Sequence, residues 1–490
     1  MPWRRAPEKE SGLSAASSTS RRTFLKQTSA FAGLMAAAPH GVASLPEPPA
    51  RGQLRGWMTA GDKRFAAFAV PSWKPAKGTQ KADVSLETSQ PLQSILGFGA
   101  AFTDASCYLM NGMAAAQRGQ LMREFFSPEG LNLSVGRTCI GSSDYSRTAY
   151  TYDDAEAPDP ELKHFSIEHD RSYILPMLRE ALGVNRELYL FSSPWSPPAW
   201  MKANGSLLGG SMRKEYMAAY AQYFVRFLAE YRAAGVPIQA VTSQNEVDTD
   251  QNGRMPAALW GQEYEVEFIA KHLGPALRQA APETKIWLLD HNYNLWGRVL
   301  CCLDDPEVAR YVDGVAWHGY VGSPQAMTRV HQAFPEKHAY WTEGGPDYKL
   351  PDYATDWAAW SAKYAAILKN WARCIVGWNL VLDEQGKPNI GPFNCGGLVT
   401  LDSATQTIRR SGQYWAFAHY SKVVRRDARV LSTQVSRDGI EAVAFVNPEG
   451  DYVLVLVNQG AARDLRCRCD GRELALALPG DSVVTLQWRD

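Results

Sequence analysis

The sequence predicts an α/β chain: a (β/α)8 TIM barrel with a side antiparallel β-sandwich domain built from both ends of the mature chain. Three observations predict it. Eight short apolar runs alternate with longer amphipathic segments between residues 97 and 380, the rhythm of a parallel sheet wrapped by helices. From residue 430 to 488 the runs shorten and alternate in polarity. Turn signals at Asn447-Pro-Glu-Gly450 and Pro479-Gly480-Asp481 separate them, a sandwich pattern. Before residue 90, runs at 65–70 and 84–86 have β-like composition and no helical period.

Taken in order, the chain divides into a leader at 1–43, an N-terminal part of the sandwich at 44–90, the barrel at 91–424 and the C-terminal part of the sandwich at 425–490. Ser20-Arg21-Arg22-Thr23-Phe24-Leu25-Lys26 precedes a mild apolar run at 30–38 and the small residues Gly41-Val42-Ala43. This resembles a twin-arginine export signal cleaved after Ala43, and implies a periplasmic or secreted bacterial protein. The apolar run is too short to span a bilayer, and no later stretch is long enough. Residues 46–49 look like a linker.

The barrel strands are expected at 97–102, 133–139, 188–192, 238–243, 286–290, 314–317, 339–343 and 375–380. The clearest helix is 214–234, where Tyr216, Tyr220, Phe224, Phe227 and Leu228 fall near helical spacing. The alternative, an open doubly wound sheet, lacks a Gly-rich phosphate loop after the first strand. In the tail, strands are expected at 442–446, 452–457, 474–478 and 483–486. Cys467 and Cys469 alternate with Arg466 and Arg468, as inward positions on a strand do.

Composition narrows the function. The 490 residues carry 51 basic and 51 acidic side chains, with no basic patch, so neither nucleic acid nor a polyanion is an expected partner. Eight cysteines in a chain folded before export read as mostly buried thiols rather than required disulfides. No metal-ligand cluster such as His-Glu-x-x-His occurs, and no cofactor is implied.

The chemistry lies at two strand tips. Val241-Thr-Ser-Gln-Asn-Glu246 and Ala339-Tyr-Trp-Thr-Glu343-Gly-Gly each run from an apolar strand into a carboxylate. In a (β/α)8 barrel such tips share one face, and a facing carboxylate pair is what glycosidic bond hydrolysis needs.

Around this pair the chain resembles glycoside hydrolase family 30, of the glucosylceramidase (acid β-glucosidase) type. The resemblance runs from Gly97 to Arg429 through ordered motifs: Gly97-Phe-Gly-Ala-Ala-Phe-Thr-Asp104, Asp144-Tyr-Ser-Arg-Thr-Ala-Tyr-Thr-Tyr-Asp153, Ser193-Pro-Trp-Ser-Pro-Pro-Ala-Trp-Met-Lys202, Gln244-Asn-Glu246, Thr342-Glu343, Trp378-Asn-Leu-Val-Leu382 and His419-Tyr-Ser-Lys422. It implies Glu246 as general acid/base and Glu343 as nucleophile of a retaining β-glycosidase. Arg137 is then a cation beside a carboxylate, and Asn245 contacts the sugar 2-hydroxyl. The resemblance further implies that Asp144, Trp195, Trp378 and Asn394 bind the sugar at the cleaved end, and that His318 and Tyr320 follow the sixth strand at the substrate. Gly319 stands where glucosylceramidases often have Trp, which loosens the local wall. Residues 290–293 and Trp296 are expected on the aglycone side.

The implied substrate is a carbohydrate or glycolipid carrying β-linked glucose: glucosylceramide, with a β-1,6-glucan close behind, cut in endo or exo fashion. A non-catalytic carbohydrate-binding protein is the competing class, and possession of both carboxylates speaks against it. Oligomeric state is not legible.

Overall fold

The structure is a computed structural model that describes residues 47–77 and 81–490. The leader and its cleavage site lie outside the described residues. Eight parallel strands close the barrel, and no open doubly wound sheet forms: β1 Gly97–Phe102, β2 Val135–Ile140, β3 Tyr189–Pro194, β4 Ala240–Thr242, β5 Lys285–Asn292, β6 Val312–His318, β7 His338–Glu343 and β8 Ala372–Gly377. Each pairs with its neighbour in sequence, and β8 returns to β1 with Cys374 opposite Gly97. The strands are buried on both faces, so they read as apolar runs rather than alternations. Inside the barrel, Val135, Phe191, Ala240, Trp287, Ala316, Tyr340, Cys374 and Val376 form one packed cluster, with Trp287 stacked on Tyr340 at 3.9 Å between ring centroids.

Gly99, within the first motif, sits where β1 pairs with Val135 of β2. A Cβ there would lie 1.6 Å from the Val135 carbonyl oxygen, so no side chain fits without moving a strand. The helix expected at 214–234 forms at Met217–Ala233, after a short 3-10 turn at Lys214–Tyr216. It buries Tyr220, Phe224, Phe227 and Leu228 against the barrel.

The end of β8 departs from the expected span. The strand stops at Gly377, and residues 378–380 form a turn in which Asn379 takes φ 70°. That turn hydrogen-bonds to two other strand ends, Trp378 N to Gly344 O at 3.1 Å and Leu380 N to Ala101 O at 3.1 Å. A small three-stranded sheet then follows (Val381–Asp383, Val399–Leu401, Ile408–Arg410). Its strands are too short to stand out in the sequence.

The sandwich draws on both ends of the described chain. Leu54–Ala60 pairs antiparallel with Ser482–Trp488, and Val84–Glu87 lies between Arg429–Val435 and Arg463–Cys469. Arg429–Val435 is the seam: residues 429–431 pair with Ile440–Val446, and residues 432–435 pair with Val84–Glu87. Between the layers, Leu431, Leu454, Leu456 and Leu486 meet Val84, Leu465, Cys467 and Leu476. Cys467 and Cys469 do face inward, and all eight cysteines are free. The other face of the first layer, through Val443, Phe445, Val453 and Val455, joins the barrel core. His419 bridges the two, its ring nitrogens 2.9 Å from Thr485 Oγ1 and 2.8 Å from Thr59 Oγ1.

Gly99→Ala is expected to cost more than about 3 kcal/mol, because the clash is with backbone. Urea unfolding measures it, and an unchanged midpoint would contradict the close approach of β1 and β2.

Candidate active site

The C-terminal ends of the strands enclose a cleft of about 350 Å³ whose lining includes Asp144, Trp195, Asn245, Glu246, Tyr320, Glu343 and Trp378. Its organising group is Arg137 on β2, which has no solvent exposure. Its guanidinium forms ion pairs with Glu343, the last residue of β7, and with Asp290 of β5, the latter at 2.7 Å. It also donates to Asn245 Oδ1 at 2.7 Å and lies 4.8 Å from the centre of the Trp195 ring. Burial opposes the charge on Arg137, but the charges of Asp290 and Glu343 outweigh it and raise its pKa.

Asp290 anchors the network from below. It accepts from Arg137, from Ser193 Oγ at 2.6 Å, from Thr242 Oγ1 at 2.9 Å and from Thr342 Oγ1 at 2.7 Å, and it faces His318 Nε2 at 3.0 Å. Burial alone would raise its pKa; Arg137, His318 and Ser193 together pull it far below the usual carboxylate range. The expectation of an aglycone contact at 290 is therefore corrected: Asp290 is a buried hub. His291 and Asn292 do line the cleft, while Tyr293 and Trp296 are absent from its lining.

Glu246 follows β4 on left-handed backbone, φ 54°, and Asp290 follows the same pattern at φ 48°. Such conformations are costly for residues other than glycine and persist where surrounding bonds determine them. Here Glu246 N donates to Asp290 O at 3.0 Å, and Asn245 N to Pro194 O at 2.7 Å. Gln251 Nε2 holds Glu246 Oε2 at 2.7 Å, and Tyr320 Oη donates to Glu343 Oε1 at 2.9 Å. His318 lies between the carboxylates. Its Nδ1 is 3.4 Å from Glu246 Oε1 and 3.7 Å from Glu343 Oε1. The two oxygens are thus no more than about 7 Å apart, a bound that includes the ~5–5.5 Å of direct attack and also the lower end of the ~6.5–9.5 Å that leaves room for a water.

The match to known proteins follows this geometry. A family model described as the glycosyl hydrolase family 30 TIM-barrel domain matches residues 95–424, and the family's beta sandwich domain matches 427–486. The chain belongs to glycosyl hydrolase family 30. An endo-1,6-β-D-glucanase of Neurospora crassa is 34% identical over 403 residues, covering 78% of this chain and 82% of the relative. The lysosomal acid glucosylceramidase of Mus musculus is 29% identical over 433 residues, 83% of each. The solved endo-β-1,6-glucanase BT3312 superposes with a TM-score of 0.81 at 29% identity, covering 90% of this chain and 100% of that one.

This family 30 glycosidase departs from its sequence reading at several site positions. Asn394 is not among the lining residues; its neighbours Phe393 and Cys395 are. His318 is fully buried beneath the carboxylates, so it positions them rather than binding sugar. Trp195 and Trp378 do line the cleft, where they stack on each other at 5.2 Å between ring centroids. Gly319 does not loosen the wall: a Cβ there would lie 2.6 Å from the buried Trp341 ring. Gln251, five residues past Glu246, carried no signal because a glutamine in a polar loop is unremarkable in sequence.

Charge in the cleft is also distributed unexpectedly. Burial would raise the pKa of Glu246, but the hydrogen bond and charge of His318, with His291 and Gln251, hold it below the ordinary value. Asp144 is the carboxyl pushed well up, by burial first and then by the charges of Glu343 and Glu246. Against the cost of burial, Glu343, Asp290 and Glu246 lift His318 from 6.5 to about 9.

Two outcomes follow. Arg137→Met leaves Asp290 buried without its cation and is expected to cost about 3–5 kcal/mol by urea unfolding; a loss below about 1 kcal/mol would refute the hub. Because the folded pKa of His318 is raised, its stabilisation is complete below pH 6.5 and is lost as pH rises to about 9. Unfolding at pH 6 and pH 9.5 should differ by about 3 kcal/mol more in the native chain than in His318→Asn; equal differences would contradict the assignment.

Proposed function

We propose that the chain is a retaining β-glycosidase that cleaves β-linked glucose. The observation that carries this is the placement of Glu246 and Glu343 around one imidazole nitrogen, at 3.4 and 3.7 Å. That placement admits direct attack by one carboxylate while the other protonates the leaving oxygen. Glu343, paired with Arg137 and fixed by Tyr320, attacks the anomeric carbon. Glu246 delivers the proton to the leaving oxygen. The free cleft favours ionised Glu246, so the proton belongs to the Glu246–His318 pair and moves onto Glu246 as the leaving group gains charge. Glu246 then takes a proton from water, which hydrolyses the glycosyl-enzyme. Asn245 has its Oδ1 committed to Arg137, which leaves its amide N–H to donate to the sugar 2-hydroxyl. Asp144 accepts from sugar hydroxyls, with Trp195 and Trp378 forming the adjacent wall.

For the natural substrate, β-1,6-glucan takes precedence over glucosylceramide. Support comes from the Neurospora crassa and BT3312 proteins, both named endo-1,6-glucanases and both matched over most of their length. One observation favours a glycolipid as second reading. Phe393, at the cleft, is 42% exposed, and Val321, beside Tyr320, is 52% exposed; an acyl chain would cover them. The resemblance of residues 20–43 to a twin-arginine export signal supports export to the periplasm or beyond.

The test is hydrolysis of an aryl β-glucoside, a β-1,6-glucan and glucosylceramide by the mature chain. Glu343→Gln is expected to lower turnover of all accepted substrates by at least about four orders of magnitude with the fold intact. Glu246→Gln should spare formation of the glycosyl-enzyme from an activated aryl glucoside and regain turnover with azide. Retained activity in Glu343→Gln would refute the nucleophile, and turnover of glucosylceramide alone would reverse the order of substrates.

A further inference from the structure

A second group of ionisable side chains lies outside the cleft, in the long segment after β2. Asp153, Asp159 and His164 each present a ligand atom, and the three atoms lie within 4.8 Å of one another. Asp153 is the unusual member. It has no solvent exposure, and neither carboxylate oxygen has a hydrogen-bond partner. Among the described residues no cation lies within ion-pair distance of it. An unpaired buried carboxylate is costly, and such groups are ordinarily paired or bound to a metal.

The neighbours are committed elsewhere. Asp154 is held by Thr151, through the backbone N–H at 2.9 Å and the hydroxyl at 2.6 Å. Arg226, the cation on the adjoining helix Met217–Ala233, donates to the backbone carbonyls of Leu162 and Glu161. Asp159 is also buried, while its carboxylate meets the His164 backbone N–H and ring Nδ1, each at 2.9 Å.

We propose that Asp153, Asp159 and His164 form a binding site for one divalent cation of the Mn2+ or Zn2+ class. Two carboxylates and an imidazole make a mixed oxygen–nitrogen set, which suits these ions better than Ca2+, whose sites are built from six to eight oxygens. The bound ion supplies the counter-charge that Asp153 lacks. It also ties down the segment that carries Asp144 into the cleft, since Ser142 and Tyr150 bond to each other on that same segment (Ser142 N to Tyr150 O, 3.0 Å). The site is structural and takes no part in the glycosidic step.

The test uses the full mature chain, stripped with a chelator and titrated with Mn2+. Binding is read by electron paramagnetic resonance and by thermal unfolding. One ion per chain and a rise of several degrees in Tm are expected. Asp153→Asn should weaken binding at least about tenfold and should be no less stable than the native chain without metal, because it removes a buried charge. His164→Ala, whose side chain is 69% exposed, should weaken binding similarly without threatening the fold. Absence of binding, or binding that survives both substitutions, would overturn the proposal. So would binding lost in His291→Asn but kept in Asp153→Asn, which would place the ion among Glu246, His291 and His318 in the cleft.

Discussion

A guanidinium with no access to water constrains everything around it. Arg137 loses its hydration when β2 is packed into the barrel, and only anions or strong acceptors at close range offset that loss. Asp290 from β5 and Glu343 from β7 supply the anions, and Asn245 beyond β4 supplies a third acceptor. Three strands far apart in sequence are thereby held to one point. Phe191, Trp195 and Trp378 surround the guanidinium and exclude water, which strengthens each of these interactions. Glu343, the proposed nucleophile, is thus also part of what makes the charged core of the barrel tolerable.

The second carboxylate is placed by backbone rather than by a cation. Glu246 and Asp290 both take left-handed conformations, and the hydrogen bond from Glu246 N to Asp290 O ties the two bends together. His318 then connects all three carboxylates: through Nε2 to Asp290, and through Nδ1 in the space between Glu246 and Glu343. A proton on this imidazole is stabilised by all three at once. One acid function can therefore stay available beside the proposed nucleophile. The sandwich contributes at a distance, through His419 bridging Thr59 and Thr485 and through the apolar face it lends to the barrel core.

Much of this was legible in the sequence, for physical reasons. Barrel strands buried on both faces leave apolar runs that need no partner to be recognised. The carboxylates at 246 and 343 stand at the tips of such runs, where a barrel places its chemistry. What was hidden depends on partners remote in sequence. Arg429–Val435 reads poorly as a strand because it changes partners midway and only Val430 and Leu431 are buried, so no alternation marks it. Asp290 looks like any strand-end acid until four donors converge on it. His318 looks like a ligand contact until its burial shows that it serves the carboxylates. The wall at Gly319 could not be judged without Trp341, which lies on another strand and fills the space.

The central claim is that Glu343 and Glu246 stand close enough for direct attack, with no water between the nucleophile and the sugar. The stereochemistry of the first product tests it most directly. Proton NMR of the anomeric signals during early hydrolysis of an aryl β-glucoside should show the β-anomer released first, with the α-anomer appearing only by later mutarotation. Release of the α-anomer first would mean inversion, and would contradict direct attack by Glu343.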